Sequence, residues 1–236
     1  MTRLAVDNLR VGYGSAEIVH NITFDIASRD TLCLMGRNGA GKSTLLKGIV
    51  GLLRPQEGRI SLDDCEITGW SPHRLPRLGI GYAPQEEFLF SDFTVRENLL
   101  IAHLGLTKFS TCCDRVFALF PVLGDRLSQA AGTLSGGEQR MLAIGRALLN
   151  FPNVFILDEI SEGLSPAVLD TIEVALRLAQ REKPLAILMV EQNISFGLRV
   201  ASRYAVMKRG SIVVAGDIES GQINVLHDEV AEHLSL

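Results

Sequence analysis

The sequence has no apolar run long enough to cross a bilayer. Its longest uninterrupted aliphatic stretches, such as LAILMV at 185–190, fall far short of the roughly 20 residues that a membrane-spanning helix needs. The chain also lacks a basic start followed by an apolar stretch, so we expect no secretory signal peptide. If the protein works at a membrane, another protein must therefore hold it there.

Cysteine is scarce, and so is an excess of charge of either sign. The four cysteines form neither a metal-binding C-x-x-C pair nor a disulfide framework: Cys33, Cys65, Cys112 and Cys113. The 23 basic and 27 acidic residues leave a formal net charge of -4, so no broad basic surface is predicted to bind nucleic acid. We therefore expect a reduced, cytosolic protein whose partners do not include nucleic acid.

What the sequence does have is an alternation of strands and helices, which predicts the α/β class. With 236 residues, 47% of them hydrophobic, the chain is large enough for one domain with its own core. Apolar or β-branched runs predict strands at 4–11, 17–26, 31–35, 59–64, 79–83, 153–157 and 185–190, and a hairpin over 204–216. Capping patterns and helical spacing predict helices between 94 and about 150 and again over 165–180, whereas the tail after 221 is weakly patterned.

The stretch GRNGAGKST at 36–44 places Gly36, Gly39 and Gly41 close together, directly before Lys42 and Ser43. Glycine loses more backbone entropy on folding than any other residue, so this clustering needs a reason. The stretch fits the P-loop pattern and lies between a predicted strand and a predicted helix, as that motif requires. Its backbone N–H groups then cradle a polyphosphate, with the lysine on the β- and γ-phosphates and the serine on Mg²⁺. The competing interpretation is a tight turn whose composition fits by accident.

A second glycine-rich stretch, LSGGE at 134–138, opens a predicted helix. A capping box explains Ser135 and Glu138, because the serine caps the first turn and the glutamate returns to the cap N–H. It does not explain Gly136 and Gly137, each of which costs about 1 kcal/mol relative to alanine inside a helix. Unobstructed N–H groups at a helix start form an anion site. LSGGE therefore predicts a second phosphate-binding feature.

With the P-loop and LSGGE in this order, the chain resembles the ATP-binding-cassette (ABC) ATPases from Tyr13 to about Gly216. The resemblance implies a single P-loop NTPase domain over 1–236. Within it, a RecA-like core with an N-terminal antiparallel β subdomain takes 1–85 and 151–236, and an inserted α-helical signature subdomain takes about 86–150. It also implies that ATP and Mg²⁺ bind between two such chains, with LSGGE of one chain facing the γ-phosphate on the P-loop of the other.

The same resemblance assigns contacts with ATP to a set of nine loop residues and one aromatic: Gly36, Arg37, Asn38, Gly39, Ala40, Gly41, Lys42, Ser43, Thr44 and Tyr13. It assigns contacts with the partner chain's ATP to Leu134, Ser135, Gly136, Gly137 and Glu138.

The stretch VFILDE at 154–159 is a predicted strand that ends in two carboxylates, at the edge of the sheet where α/β proteins bind ligands. By resemblance, Asp158 holds Mg²⁺ together with Ser43 and Gln85. Glu159 orients and polarises the attacking water. The plainer interpretation is a pair of solvated acids at a strand end.

Three further residues match the family's pattern. Gln85, in YAPQEE, matches a glutamine that touches Mg²⁺ and the water, although it is also simply a polar residue after a proline turn. Tyr13 matches an aromatic that stacks on adenine, although tyrosine is also ordinary in a turn. Ser161 matches the loop that crosses the interface between the two cassettes.

Two positions depart from the family's pattern. Ile160 stands where a proline commonly follows the catalytic glutamate, and Gln192 stands where a switch histidine is usual. The five histidines all lie elsewhere: His20, His73, His103, His227 and His233. Glutamine can hydrogen-bond a γ-phosphate but cannot carry a proton charge, so we count Gln192 as catalytic and predict that hydrolysis survives. A nucleotide-binding module without turnover is the rival interpretation, and Glu159 argues against it.

The stretches EISEGLSP and VEQN resemble the importer cassettes for branched-chain amino acids, urea and short-chain amides. PQE at 84–86 resembles instead the lipopolysaccharide-export cassette, which usually has the proline and the histidine that are missing here. We therefore favour the importer. An iron–sulfur assembly cassette is a further alternative, and the transported solute is not encoded in this chain.

An importer cassette implies several partners: a second cassette, identical or related, two integral membrane permease subunits and, indirectly, a solute-binding protein. The chain then lies in the cytoplasm, peripheral on the inner face of the cell membrane. EEFLFSDF at 86–93, with Phe88, Phe90 and Phe93 beside Glu86 and Glu87, is a predicted docking surface for a permease helix. Core packing of the helical insertion explains the same residues equally well.

Overall fold

The chain is built around two β-sheets. The computed structural model describes residues 2–85, 89–219, 221 and 223–235. Within these residues the strands are β1 (Arg3–Tyr13), β2 (Ala16–Ala27), β3 (Thr31–Met35), β4 (Glu57–Leu62), β5 (Cys65–Glu66), β6 (Ile80–Ala83), β7 (Val154–Asp158), β8 (Ala186–Glu191), β9 (Arg203–Lys208) and β10 (Ser211–Asp217). All the strands predicted from the sequence are present, and several are longer by a few residues.

The two sheets differ in strand direction. The first is antiparallel, with the spatial order β2-β1-β4-β5. The second has the order β10-β9-β3-β8-β7-β6 and is parallel except for the hairpin between β9 and β10. Because β3, β8 and β7 are neighbours that run in the same direction, the residues that follow them meet at one edge of this sheet.

Helices cover the parallel sheet and occupy the long segment between β6 and β7. Within the described residues they are α1 (Lys42–Ile49), α2 (Val95–Ala102), α3 (Phe109–Leu119), α4 (Pro121–Asp125), α5 (Gly136–Leu148), α6 (Pro166–Glu182), α7 (Ile194–Val200) and α8 (Ile223–Ser235). Two short 3-10 helices lie at Pro72–Leu78 and Ala131–Thr133. No helix in the described ranges combines the length and the apolar character needed to cross a bilayer.

The central strands contribute to a core on both faces of the sheet. In β7, Phe155 and Leu157 pack with the core that includes α3, α5 and α6, whereas Val154 and Ile156 pack with the core that includes α1 and the antiparallel sheet. Side chains alternate between the two faces of a strand, and both faces are covered here. This explains why the strand reads as a continuous apolar run, and it fixes the position of the polar residues that follow.

Local patterns predicted several boundaries correctly. Both capping boxes are present, from Thr94 to Glu97 at α2 and from Ser135 to Glu138 at α5. The hairpin between β9 and β10 turns at Arg209 and Gly210, both of which have positive φ. The tail differs, because it forms α8, whose Leu226 and Val230 are buried against the core.

Candidate functional site

Residues 36–44 comprise the loop that leads from β3 into α1 and the first residues of α1, which begins at Lys42. Gly39 and Gly41 have φ of 80° and 101°, in the left-handed region that glycine adopts most readily. Gly41 is the N-cap of α1 and supplies no side chain to bond the first turn of the helix. The first N–H groups of α1 therefore keep their capacity to bind an anion, which suits the phosphate-binding role predicted for this loop.

Two polar residues at the start of α1, Lys42 and Ser43, lie against the end of β7. The Lys42 side chain is 3% exposed, and its Nζ lies 2.8 Å from the Glu159 Oε1 and donates to the Gly36 carbonyl at 2.8 Å. The Ser43 hydroxyl donates to Asp158 Oδ1 at 3.1 Å. Residues more than a hundred positions apart are thus brought into one polar cluster.

Asp158 is buried at the end of β7, and its burial raises the pKa of the carboxyl while the bond from Ser43 opposes that rise. The Tyr82 hydroxyl donates to its second oxygen at 3.4 Å, and burial together with this carboxylate raises the pKa of Tyr82. A hydroxyl and a carboxylate are oxygen ligands of the kind that Mg²⁺ takes beside substrate phosphates. Ser43 and Asp158 therefore fit Mg²⁺. No cluster of three or more His, Cys, Asp or Glu suited to a metal occurs among the described residues.

Glu159 has a backbone conformation that is unusual for a side-chain-bearing residue. Its φ is 46°, in the left-handed region, where a residue other than glycine costs on the order of 1–3 kcal/mol. Its N–H donates to the Val190 carbonyl of β8 at 3.0 Å. Such strain persists where neighbouring structure holds the backbone, and it is concentrated at functional sites.

Gln85 contributes a side chain to the same cluster. Its Nε2 donates to Glu159 Oε2 at 3.2 Å and to Glu162 Oε2 at 2.9 Å. Arg140 of α5 donates to the Pro84 and Gln85 carbonyls at 3.2 and 3.1 Å. Glu162 and Arg140 were not among the predicted site residues, because neither belongs to a motif whose spacing shows the contact.

LSGGE lies at the start of α5, where Ser135 and Glu138 form a capping box and Glu138 also pairs with Arg126 at 2.9 Å. Ser135 N–H donates to Glu138 Oε2 at 2.9 Å, and this backbone bond is the main cause that lowers the pKa of Glu138. Ser135 and Gly136 are exposed and Leu134 is buried. A Cβ added at Gly136 would meet nothing within 4 Å, whereas one at Gly137 would lie 2.7 Å from Val168 Cγ2. Within the described chain, no hydrogen bond or ion pair links residues 134–138 to residues 36–44.

The remaining predicted residues lie around this cluster or at its margin. Tyr13, at the end of β1, is 50% exposed, and Gln192 is exposed directly after β8. Ser161 is buried and bonded to Glu191, which was not among the predicted site residues. Burial raises the pKa of Glu191 to about 7.

A cavity of about 990 Å³ extends from Ser43 and Asp158 into a groove between the sheet and the helical segment. The groove has apolar walls that include Leu52, Pro72, Leu75 and Ile101. Beside it, Phe90 and Phe93 stack at 5.6 Å and are 47% and 44% exposed. Glu86, Glu87 and Phe88 of the predicted docking surface lie outside the described residues.

The chain is similar to one family profile and to ATP-binding subunits of transport systems. The family profile described as "ABC transporter" matches residues 19–162. The high-affinity branched-chain amino acid transport ATP-binding protein BraG of Pseudomonas aeruginosa is 37% identical over 213 residues, which cover 89% of this chain and 91% of that protein. The lipopolysaccharide export system ATP-binding protein LptB of Haemophilus influenzae is 34% identical over 245 aligned positions, covering 100% of this chain and 98% of that protein.

The fold is also that of a solved structure. A nucleotide-free ATP-binding cassette from an ABC transporter superposes with a TM-score of 0.87 at 26% identity, over 100% of this chain and 99% of that chain. The agreement extends over both sheets and the helical segment between β6 and β7.

Proposed function

This chain belongs to the ABC transporter family of ATPases, and we propose that it powers the uptake of branched-chain amino acids or of related small amino-acid, amide or urea solutes. One observation carries the ATPase part of the proposal. Lys42 and Ser43, which follow the glycine-rich loop at the start of α1, lie against Asp158 and Glu159, the two carboxylates needed for hydrolysis. Binding and chemistry are therefore combined at one edge of the sheet.

Each residue of the cluster has a distinct task. The loop N–H groups and Lys42 hold the β- and γ-phosphates of the substrate ATP. Ser43, Gln85 and Asp158 would hold Mg²⁺, which when bound would neutralise charge on the phosphates. Glu159 orients the attacking water and accepts its proton once it is free of Lys42. Gln192, exposed at the end of β8, donates a hydrogen bond to the γ-phosphate.

A second cassette completes each site. Ser135 and Gly136 are exposed, and they face outward from a helix start that has no bond to the chain's own P-loop among the described residues. We assign residues 134–138 to the ATP of the partner chain and Ser161 to the interface between the two chains. The partner is a second copy or a related cassette.

The importer class is favoured over lipopolysaccharide export on two grounds. BraG, whose name describes branched-chain amino acid transport, is 37% identical, compared with 34% for LptB. Ile160 and Gln192 also depart from the proline and histidine usual in the export cassette. The difference in identity is small, so the two classes need a direct test.

The groove is the proposed seat for a cytoplasmic helix of an integral membrane permease. Its walls at Leu52 and Ile101 are half exposed, as expected for a surface that a partner covers. Phe90 and Phe93 extend the apolar surface beside it. In this arrangement the chain lies on the cytoplasmic face of the membrane, and closing of the two cassettes moves the permease helix.

Hydrolysis is tested by measuring phosphate release from ATP by the purified full chain, alone and together with the subunits that co-purify with it, with Mg²⁺ and with excess chelator. We expect turnover that needs Mg²⁺ and is lost in Glu159→Gln. A wild type that is inactive in both preparations, or a Glu159→Gln variant that works at the wild-type rate, would contradict the proposed function.

The transport class is tested by identifying the integral membrane proteins that co-purify with the chain and reconstituting them in vesicles. We expect ATP-dependent accumulation of leucine, or of urea or a short-chain amide, with the matching solute-binding protein. ATP-dependent extraction of lipopolysaccharide, without solute uptake, would instead establish the export alternative.

A further inference from the structure

Glu191 is a buried carboxyl group to which the proposed chemistry gives no role. It ends β8, it is 1% exposed, and it follows five apolar residues in the strand. Burying an isolated carboxylate is costly unless hydrogen bonds satisfy its oxygens. The hydrogen-bond donors that satisfy the Glu191 oxygens therefore indicate the role of this residue.

Two donors, both of Ser161, converge on the two oxygens of Glu191. Ser161 N–H donates to Oε1 at 3.2 Å, and the Ser161 hydroxyl donates to Oε2 at 2.5 Å. An ionised carboxylate is the side chain that offers only acceptors. A glutamine at position 191 would offer only one acceptor oxygen, and its NH₂ group, itself a donor, would face one of the donors of Ser161.

These bonds fall directly beside the strained residue. Glu159 has φ of 46°, and its own N–H is held by the Val190 carbonyl. Val190 and Glu191 thus hold the chain at the catalytic residue itself and again two residues after it. The residue directly after β8, Gln192, is the one proposed to contact the γ-phosphate.

We propose that Glu191 is a positioning residue, which by accepting both hydrogen bonds from Ser161 fixes the direction of the Glu159 carboxylate two residues earlier and the place of Ser161 at the cassette interface. Because Glu191 ends β8 and Gln192 follows it directly, the residue on the γ-phosphate and the loop at the interface share one support. The inference rests on the proposed ATPase function and adds a residue to its machinery.

The test is steady-state ATP hydrolysis by the full-length Glu191→Gln variant. We expect kcat to fall by at least about tenfold while KM for ATP stays within roughly twofold, because the reacting group is misplaced and the nucleotide contacts remain. Thr31→Val is the matched control. Thr31 is a buried polar residue at the other end of the adjacent strand β3, where its hydroxyl accepts from Gln180. It should lower the thermal midpoint and leave kcat unchanged.

The kcat of Ser161→Ala is a second test of the proposal, and this variant leaves the buried carboxyl group in place. It removes one of the two donors, so we expect a smaller fall in kcat, and the double variant should be no slower than Glu191→Gln alone. A folded Glu191→Gln with kcat within twofold of wild type would overturn the proposal, as would multiplicative effects in the double variant. If Glu191→Gln does not fold, wild-type kcat in Ser161→Ala overturns it. Glu159→Gln is measured in parallel. If it too works at the wild-type rate, the ATPase assignment fails; if it alone is inactive, only the role of Glu191 fails.

Discussion

The Lys42 ammonium lies 2.8 Å from the Glu159 carboxylate, and both side chains are almost fully buried. The group expected to hold the phosphates and the group expected to activate water therefore neutralise each other before ATP arrives. Removing one member of a buried ion pair leaves a charge without compensation. ATP must supply that compensation to Lys42, so binding of the phosphates and release of Glu159 are one event.

The first prediction concerns Glu159→Gln. The variant should lose hydrolysis by at least about 100-fold, because amide oxygen is a poor base. It should also bind ADP roughly threefold to tenfold more tightly, because Lys42 is no longer paired. ADP is the better probe, since it reports on Lys42 without the γ-phosphate. Titration with a fluorescent ADP measures the affinity.

Glu162→Gln is the control for that measurement. Glu162 also accepts from Gln85, but it is exposed and has no bond to Lys42 among the described contacts. Its ADP affinity should match wild type. Equal ADP affinities in wild type and Glu159→Gln would show that the ion pair does not restrain binding.

The second prediction contrasts the two glycines of LSGGE. Gly136→Ala adds a methyl group that meets nothing within 4 Å, so the free energy of unfolding should stay the same or rise by about 0.5 kcal/mol. ATP turnover should nevertheless fall at least about tenfold, because the methyl group intrudes on the partner chain's phosphate. Wild-type turnover in this variant would contradict the assignment.

Gly137→Ala should behave in the opposite way with respect to stability. Its Cβ would lie 2.7 Å from Val168 Cγ2, and overpacking of this kind costs about 1–3 kcal/mol. Urea denaturation of both variants, combined with turnover, separates an effect on the fold from an effect on the shared site.

The third prediction concerns Gln192. It is exposed, so Gln192→Ala should leave the thermal midpoint unchanged. It should lower kcat by about tenfold if the amide bonds the γ-phosphate. Gln192→His should keep a rate close to wild type, because imidazole is also a donor. Full activity of the alanine variant would remove Gln192 from the catalytic set.

The fourth prediction concerns pH. Burial raises the pKa of Glu191 to about 7, from an ordinary value of 4.5 that applies in the unfolded chain. Between about pH 4.5 and 7 the folded protein therefore holds a proton that the unfolded chain has lost. The free energy of unfolding should fall as pH rises through this window and level off above about pH 7. Urea denaturation between about pH 5 and 8 measures the slope, which Glu191→Gln should flatten. An unchanged slope would mean that another group titrates.

Features that depend on neighbouring residues could be predicted from the sequence. The phosphate loop, both capping boxes and the turn at Arg209 follow from short patterns, and all are present. The helix α8 was missed because charged residues interrupt its apolar spacing, although Leu226 and Val230 lie four positions apart on one face.

Contacts between distant segments could not be predicted in the same way. Arg140 reaches the Pro84 carbonyl from a helix 56 positions later, and no periodicity encodes that distance. Glu191 left a weak signal, a carboxyl group at the end of a continuous apolar strand, which shows that it is buried but not what it bonds. The assignment of individual site residues and the division into subdomains remain predictions, because they depend on ligands and on a second chain.

The chain has a single tryptophan, Trp70, and its half-buried ring lies 3.8 Å below the guanidinium of Arg74. Trp70 precedes the 3-10 helix Pro72–Leu78 and Arg74 lies within it, and Pro72, Leu75 and Pro76 of the same helix line the groove. A cation held over an indole ring interacts with its π-system. A partner that occupies the groove and moves this 3-10 helix would therefore alter the emission of one intrinsic fluorophore, and assembly could then be followed optically with no added dye.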